Sequence, residues 1–488
     1  MKKVLLAIHL AMMFALCLTS ATEAQTIVLT GATIIDGNGG TPIRDGVIVI
    51  NDKRIVAVGP RSSVSVPAGA QEIRENGKYV LPGLMDANVH LIHWMNWDHI
   101  EFLARYENQL EPLIEEAAQT SLKYGVTTVF DSMGPLRPLM RVRDRINKGK
   151  VVGSRMYVAG NIVGFRAVFD IDSIHSASVP FQERYNKMFE ENMGPGLAWM
   201  TPEQVREETR KYIALGIDFL KYGATGDGFP INSEIGQNAV LRFSPEQQRA
   251  MIEECHKAGI IVQTHQSSIE SLREVLEAGV DMVQHGSHTG PTPMPESTLQ
   301  MFLFKKVYSG IQTNTQRKTK LQLEHAQHEF PPDLLRAQSI RAAHQNEVRM
   351  IKAGVPMLLA TDAGVNDPDI YASRSDYQKL DWMLVLGEGH YLWMRAMVEQ
   401  GMTPMTVIQS ATKNIAAAYH KLDQVGTLEP GKFADLIVVD ADPLQDIENM
   451  RKLSLVMKEG KVIDTKALPL NPILTSEAAK NPGLVRMK

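Results

Sequence analysis

Five times in this chain a stretch of helical periodicity runs into a glycine and then into an apolar run of strand length. The helical stretches cover 113–124, 201–215, 245–258, 267–278 and 334–353. They are followed by Gly125-Val-Thr-Thr-Val-Phe-Asp131, Gly216-Ile-Asp, Gly259-Ile-Ile-Val, Gly279-Val-Asp and Gly354-Val-Pro. Glycine closes a helix there by taking the left-handed conformation that other residues resist, and a new strand begins. Strands joined through helices must run parallel. An alternation this long leaves two architectures, a (β/α)8 barrel or an open doubly wound sheet.

The polar residues that close these runs choose between them. Lys221 closes Ile217-Asp-Phe-Leu-Lys221, His265 closes Ile260-Ile-Val-Gln-Thr-His265, His285 closes Val280-Asp-Met-Val-Gln-His285, and Asp362 closes Met357-Leu-Leu-Ala-Thr-Asp362. Earlier, Leu81-Pro-Gly-Leu-Met-Asp-Ala-Asn-Val-His90 carries Asn88 and His90 two apart, on one side of a strand. A barrel gathers the C-terminal ends of several strands around one rim, so distant residues meet there. An open sheet would splay them, and the barrel is the expected fold.

Outside the alternation the chain reads as short strands with tight turns, at 26–30, 32–36, 46–50 and 54–58 and again at 434–440, 453–458 and 461–464. The expected organisation is a small β-sandwich built from 25–83 and 416–488, with the barrel of 84–415 inserted into it. Residues 1–24 start with Met1-Lys2-Lys3, continue through an apolar core and end on small residues, as a secretory signal peptide does. Export to the periplasm or medium is the expectation; an uncleaved anchor is the alternative, and a lipoprotein is disfavoured by the residues before Cys17. Cleavage would leave Cys255 alone, which excludes an intrachain disulfide. With 51 basic against 55 acidic residues and no long run of either sign, nothing points to nucleic acid or an anionic membrane.

The chain resembles the amidohydrolase superfamily. The resemblance rests on Pro82-Gly-Leu-Met-Asp-Ala-Asn-Val-His90, Gly125 to Asp131, Ala360-Thr-Asp-Ala-Gly364 and Gly426-Thr-Leu-Glu-Pro-Gly-Lys-Phe-Ala-Asp-Leu-Ile-Val-Val-Asp440, and covers nearly the whole chain after residue 24. It implies a (β/α)8 barrel beside a β-sandwich, with one or two divalent metals, zinc first among them. By the same resemblance His90 is the second histidine of the first strand's pair and Lys221 a lysine that carbon dioxide converts to a metal-bridging carbamate. His265 and His285 are ligands of the fifth and sixth strands, and Asp362 is the aspartate of the eighth. Asn88 departs from the pattern, since most relatives have histidine there. An asparagine in that place resembles the subgroup of the phenylurea hydrolases and, more loosely, molinate hydrolase.

The residue chemistry can be read beside that resemblance. Imidazole suits zinc and similar ions, a bound water becomes acidic enough to attack a carbonyl, and Asp362 is placed to take its proton. Lys221 as an ammonium would repel a metal, whereas a carbamate supplies an anionic oxygen; a salt-bridging lysine is the alternative. Asn88 offers a weak amide oxygen, so one metal position should be loose or empty, unless the amide ligates after all. Tyr222, Trp94, His288 and His390 are candidate substrate contacts, each also explicable by packing. Trp97, His93, Asn161, Arg166, Gln312 and the Gly223–Gly228 loop are weaker candidates.

The expected function is metal-dependent hydrolysis of a C–N bond in a small amide, urea, carbamate or peptide-like molecule. A dipeptidase of the Xaa-Pro type and a non-enzymatic interaction barrel are the alternatives. A homo-oligomer is expected, because the superfamily often forms one.

Overall fold

The structure is a computed structural model and describes residues 26–94, 105–164, 194–225, 241–329, 332–365 and 379–475. Five helices sit where periodicity predicts them, and their starts show why. Thr201, Ser244 and Ser268 each accept a hydrogen bond from the backbone three residues on, and the side chains of Gln204, Gln247 and Ser271 answer the cap's own N–H. These reciprocal caps satisfy donors that a helix start leaves open, and Pro202 and Pro245 follow two of them at the position where a missing N–H costs nothing. At the other ends Gly125, Gly216, Gly259, Gly279 and Gly354 all take φ between +70° and +94°. The helix boundary signal in the sequence is therefore a backbone fact.

Between the helices run nine short parallel strands in two sheets. One has the order β14 (Ala363–Val365), β6 (Leu84–Trp94), β7 (Val126–Asp131), β8 (Arg155–Val158); the other runs β13 (Met357–Leu359), β12 (Tyr308–Ile311), β11 (Met282–Gln284), β10 (Val262–His265), β9 (Leu220–Gly223). The sheets meet at two seams. Beyond β8, Val163 N donates to Lys221 O at 2.8 Å and Gly223 N donates to Val163 O at 3.0 Å. At the second seam β13 and β14 are successive stretches of one chain pass, and Asp362 N between them donates to Asn88 O at 2.8 Å. Valine, leucine and isoleucine of these strands pack with the helices in one large apolar core.

The remaining strands join the two ends of the chain. β1 (Thr26–Ile34), β2 (Ile43–Asn51), β3 (Arg54–Pro60), β4 (Gln71–Arg74) and β5 (Tyr79–Pro82) combine with β15 (Leu436–Val439), β16 (Leu453–Lys458) and β17 (Lys461–Val462). Hydrogen bonding makes them one eight-stranded sheet, ordered β17-β16-β15-β5-β1-β2-β3 with β4 beside β1, where two layers were expected. The two strands read at 26–30 and 32–36 are a single β1 with register shifts around Ala32, next to Gly31 at φ +81°. Such bulges sharpen the twist of a sheet, and Ile27, Leu29, Ile48 and Ile55 share a buried cluster with Leu436, Val438 and Met457.

A buried ionic knot couples this sheet to β8. Arg155 pairs with Asp435 and, at 2.9 Å, with Glu459, which also takes Lys53 at 3.0 Å. The guanidinium of Arg155 lies 4.5 Å from the centre of the Phe433 ring and that of Arg54 4.3 Å from it, two cation–π contacts on one aromatic. No helix among the described residues is long and apolar enough to cross a membrane.

Candidate active site

The strand ends named from sequence converge on the Asp362 carboxylate. Asn88 Nδ2 donates to Asp362 Oδ1 at 2.8 Å, His90 Nε2 stands 2.8 Å from the same oxygen, and Gln312 Nε2 approaches Oδ2 at 3.4 Å. The Asn88 carbonyl oxygen accepts from Lys221 Nζ at 3.1 Å. His265 and His285 meet edge to face with ring centres 4.9 Å apart, and His288 stacks on His285 at 5.4 Å. Asn88 and His90 thus do share a face of β6, as period two requires. Lys221 lies inside β9 rather than at its end, and His285 and Asp362 stand just beyond β11 and β13.

Two of these residues hold backbone conformations that side chains other than glycine resist: His285 at φ +58° and Asp362 at φ +59°. Strain of this kind persists only where surrounding bonds over-determine it. For His285 the bonds are visible. The buried amide of Gln266 donates to His285 O at 2.7 Å and His288 O at 3.1 Å, and Ser271 Oγ donates to its Oε1 at 3.2 Å. Asp362 is held through its neighbour: Thr361 N and Oγ1 donate to Asp86 at 3.2 and 2.6 Å.

Burial sets the charges. It pulls the His265 imidazole down to about 3, helped by the Lys221 charge, and takes His285 well below its ordinary value. Both rings are neutral at physiological pH. Burial lowers Lys221 to about 8 against the opposing pull of Asp362 and Asp131. For Asp362 burial would raise the carboxyl, but the His90 hydrogen bond first, and then the neighbouring imidazoles and Lys221, hold it well below the carboxylate range. Asp362 is ionised across the working pH range, as a proton acceptor should be.

Other expected contacts lie elsewhere. Tyr222 is fully buried, with its hydroxyl donating to Gln248 at 2.9 Å and its ring against Phe243, so it belongs to the layer between strands and helices. His390 is buried in the helix Gly389–Glu399 against the Tyr391 ring, 4.0 Å between centres. Burial outweighs the substrate role considered for both. His288 does reach the cluster. Trp94 ends β6, with its side chain outside the described residues; Trp97, Arg166 and the second half of the Gly223–Gly228 loop also lie outside them.

Sequence reading passed over Asp86, Asp131 and Gln266. Asp131 accepts from Leu91 N at 2.7 Å and Met133 N at 3.3 Å, fixing the backbone next to His90. It closes β7 just as His265 closes β10, and that polar strand end was the available signal. Asp86 is one strand repeat before Asn88, the same kind of signal.

In kind, these donors suit a divalent cation. Neutral imidazoles, an ionised carboxylate and a buried His285 Nδ1 without a partner among the described residues match the ligand chemistry of zinc-like ions. As placed, no group of three or more His, Cys, Asp or Glu among the described residues surrounds a single point closely enough to hold one. Asn88 and Lys221, which are outside that set, occupy the middle of the cluster.

The chain as a whole is similar to known proteins. The solved structure of molinate hydrolase superposes with a TM-score of 0.86 at 39% identity, covering 93% of this chain and 98% of the other. Phenylurea hydrolase B gives 0.85 at 34%, covering 93% and 100%. Ochratoxinase of Aspergillus niger is 25% identical, over 96% of this chain and 92% of its own. The sequence profile of the amidohydrolase family matches residues 79–463, and the chain belongs to that family.

Proposed function

We propose that this protein is a metal-dependent hydrolase of a C–N bond in a small amide, urea or carbamate. The observation that carries the reading is the Asp362 carboxylate, kept ionised and approached at once by Asn88, His90 and Gln312, with His265 and His285 beside it. His90, His265, His285 and Asp362 are the residues that would hold the cation. When bound, such an ion polarises a carbonyl and acidifies water.

The chain's own groups do the rest. Asp362 accepts the proton from the attacking water and returns it to the departing nitrogen. Gln312, half-buried and already donating toward Asp362, keeps that carboxylate oriented. Lys221, with its amine pulled down to about 8 by burial, has an appreciable neutral fraction at physiological pH, the form that captures carbon dioxide as a carbamate. Asn88 spans Lys221 and Asp362, and its weak donor character supports one firm metal position beside a weak one.

The same reading includes a closed (β/α)8 barrel over 84–415 with the terminal strands as a separate domain, removal of residues 1–24 on export, and assembly of identical subunits. Molinate hydrolase and phenylurea hydrolase B, at 39% and 34% identity, are named for molinate and phenylurea, which is why an aryl urea is the first compound to try. Purified protein stripped with a chelator and reloaded with zinc should hydrolyse a phenylurea or an N-acyl amino acid only when reloaded. Inactivity of the reloaded protein across ureas, amides and carbamates would refute the proposal.

A further inference from the structure

Below the Asp362 cluster lies a cavity of about 10 Å³, bordered by Asp86, Thr361, Ser121, Gly387 and His390. That is the room one water molecule needs, and a water settles only where two to four polar partners face it. The partners are present. His390 is 2% exposed, and its Nε2 has no hydrogen-bond partner among the described residues. The other ring nitrogen is engaged with the Tyr124 backbone. The neutral ring therefore keeps an acceptor lone pair on its buried Nε2, and a buried acceptor left without a donor is costly.

Asp86 is the second wall. It is 4% exposed, accepts from Asn88 N at 3.1 Å and Thr361 N at 3.2 Å on Oδ1, and from Thr361 Oγ1 at 2.6 Å on Oδ2. A carboxylate has about four acceptor sites, so Asp86 retains room for a further donor. Its present donors are the backbone of Asn88 and the residue immediately before Asp362.

We infer that this cavity binds one structural water, which donates one hydrogen to His390 Nε2 and the other to the Asp86 carboxylate, making His390 a positioning residue for Asn88 and Asp362. Nothing passes through this water chemically; it completes the hydrogen bonding of the acid that aligns two strands at the reaction centre. Water-mediated contacts of this kind are enthalpically close to direct ones. The position of His390 in the first turn of the helix Gly389–Glu399 has a purpose on this account, though it touches no substrate.

The site itself is independent of which compound the protein hydrolyses, so its test needs no substrate. Crystal structures of the wild type, His390→Gln and His390→Leu at a resolution that shows ordered water decide it. Expected is one water within hydrogen-bond distance of His390 Nε2 and an Asp86 oxygen, kept in the Gln variant, whose amide also reaches inward, and lost in the Leu variant. In the Leu variant the 2.8 Å contacts of Asn88 and His90 with Asp362 should lengthen, while the Gln variant restores them. A dry cavity in the wild type overturns the inference. So does a Leu variant in which those two contacts are unchanged, and if that variant does not fold, the wild-type and Gln structures still decide.

Discussion

Asn88 and Asp362 are 274 residues apart and stand 2.8 Å from each other, amide to carboxylate. The same asparagine takes Lys221 on its other end at 3.1 Å. An imidazole there would offer a stronger metal ligand than the amide oxygen does. Asn88, where the family resemblance leads one to expect histidine, is thus the residue that ties Lys221 to Asp362.

Asn88→His should raise the number of metal ions retained per chain from about one toward two, because imidazole binds zinc-like ions more firmly than an amide oxygen. Elemental analysis after dialysis measures this directly. An unchanged ratio would mean that Asn88 does not weaken a site.

Asp362→Asn keeps the shape of the side chain and removes the base. Turnover on a compound the wild type hydrolyses should fall by roughly 10²- to 10⁴-fold, the usual size of a lost general base. The melting temperature should change far less than activity does. Activity within a few-fold of wild type would transfer the proton step to another group.

Gln266→Leu removes the amide that holds the carbonyls of His285 and His288. Two buried acceptors lose a donor and the left-handed turn at His285 loses its restraint, so stability should drop by about 2–4 kcal/mol. Denaturant unfolding reads this, and Gln266→Asn should not restore the loss because its amide is one carbon short.

Glu347, which braces the segments carrying His288 and Gln312, offers a pH test that needs no substrate. Burial raises its carboxyl to about 7, against hydrogen bonds from Thr313 at 2.7 Å and Ser287 at 3.1 Å. Its folded value lies above its unfolded value of 4.5. Its stabilising contribution is complete below about pH 4.5 and declines as pH rises toward 7, where the unfolded chain has released the proton and the folded chain still holds it. Glu347→Gln should therefore gain on the wild type between pH 5 and pH 8, by an amount on the order of 3 kcal/mol at most. Parallel melting curves for the two proteins across that range would contradict the assignment.

Arg155→Met leaves Asp435 as a buried carboxylate without its cation, while Glu459 keeps Lys53. Removing one partner of such a group costs about 3–5 kcal/mol. The double variant Arg155→Met with Asp435→Leu should recover part of this, and thermal unfolding of the two compared with wild type checks it. A single variant as stable as wild type would show that the terminal sheet is held to β8 by its apolar contacts alone.

Much of this protein was legible as sequence because the relevant physics is local. Glycines 125, 216, 259, 279 and 354 announced helix ends, since only a residue without a side chain takes φ near +80° cheaply. The starts of three of these helices are fixed as locally, by caps at Thr201, Ser244 and Ser268 that the structure shows. Period two placed Asn88 and His90 on one face, and polar residues at strand ends marked His265, His285 and Asp362. Tertiary packing alone decided which way Tyr222 and His390 turn, how Gln266 and Asp86 brace the site, and that the terminal strands hydrogen-bond as one sheet. Those outcomes depend on partners tens to hundreds of residues away, whose distance is set by how the strands curve and stack, and no neighbourhood in the chain encodes that.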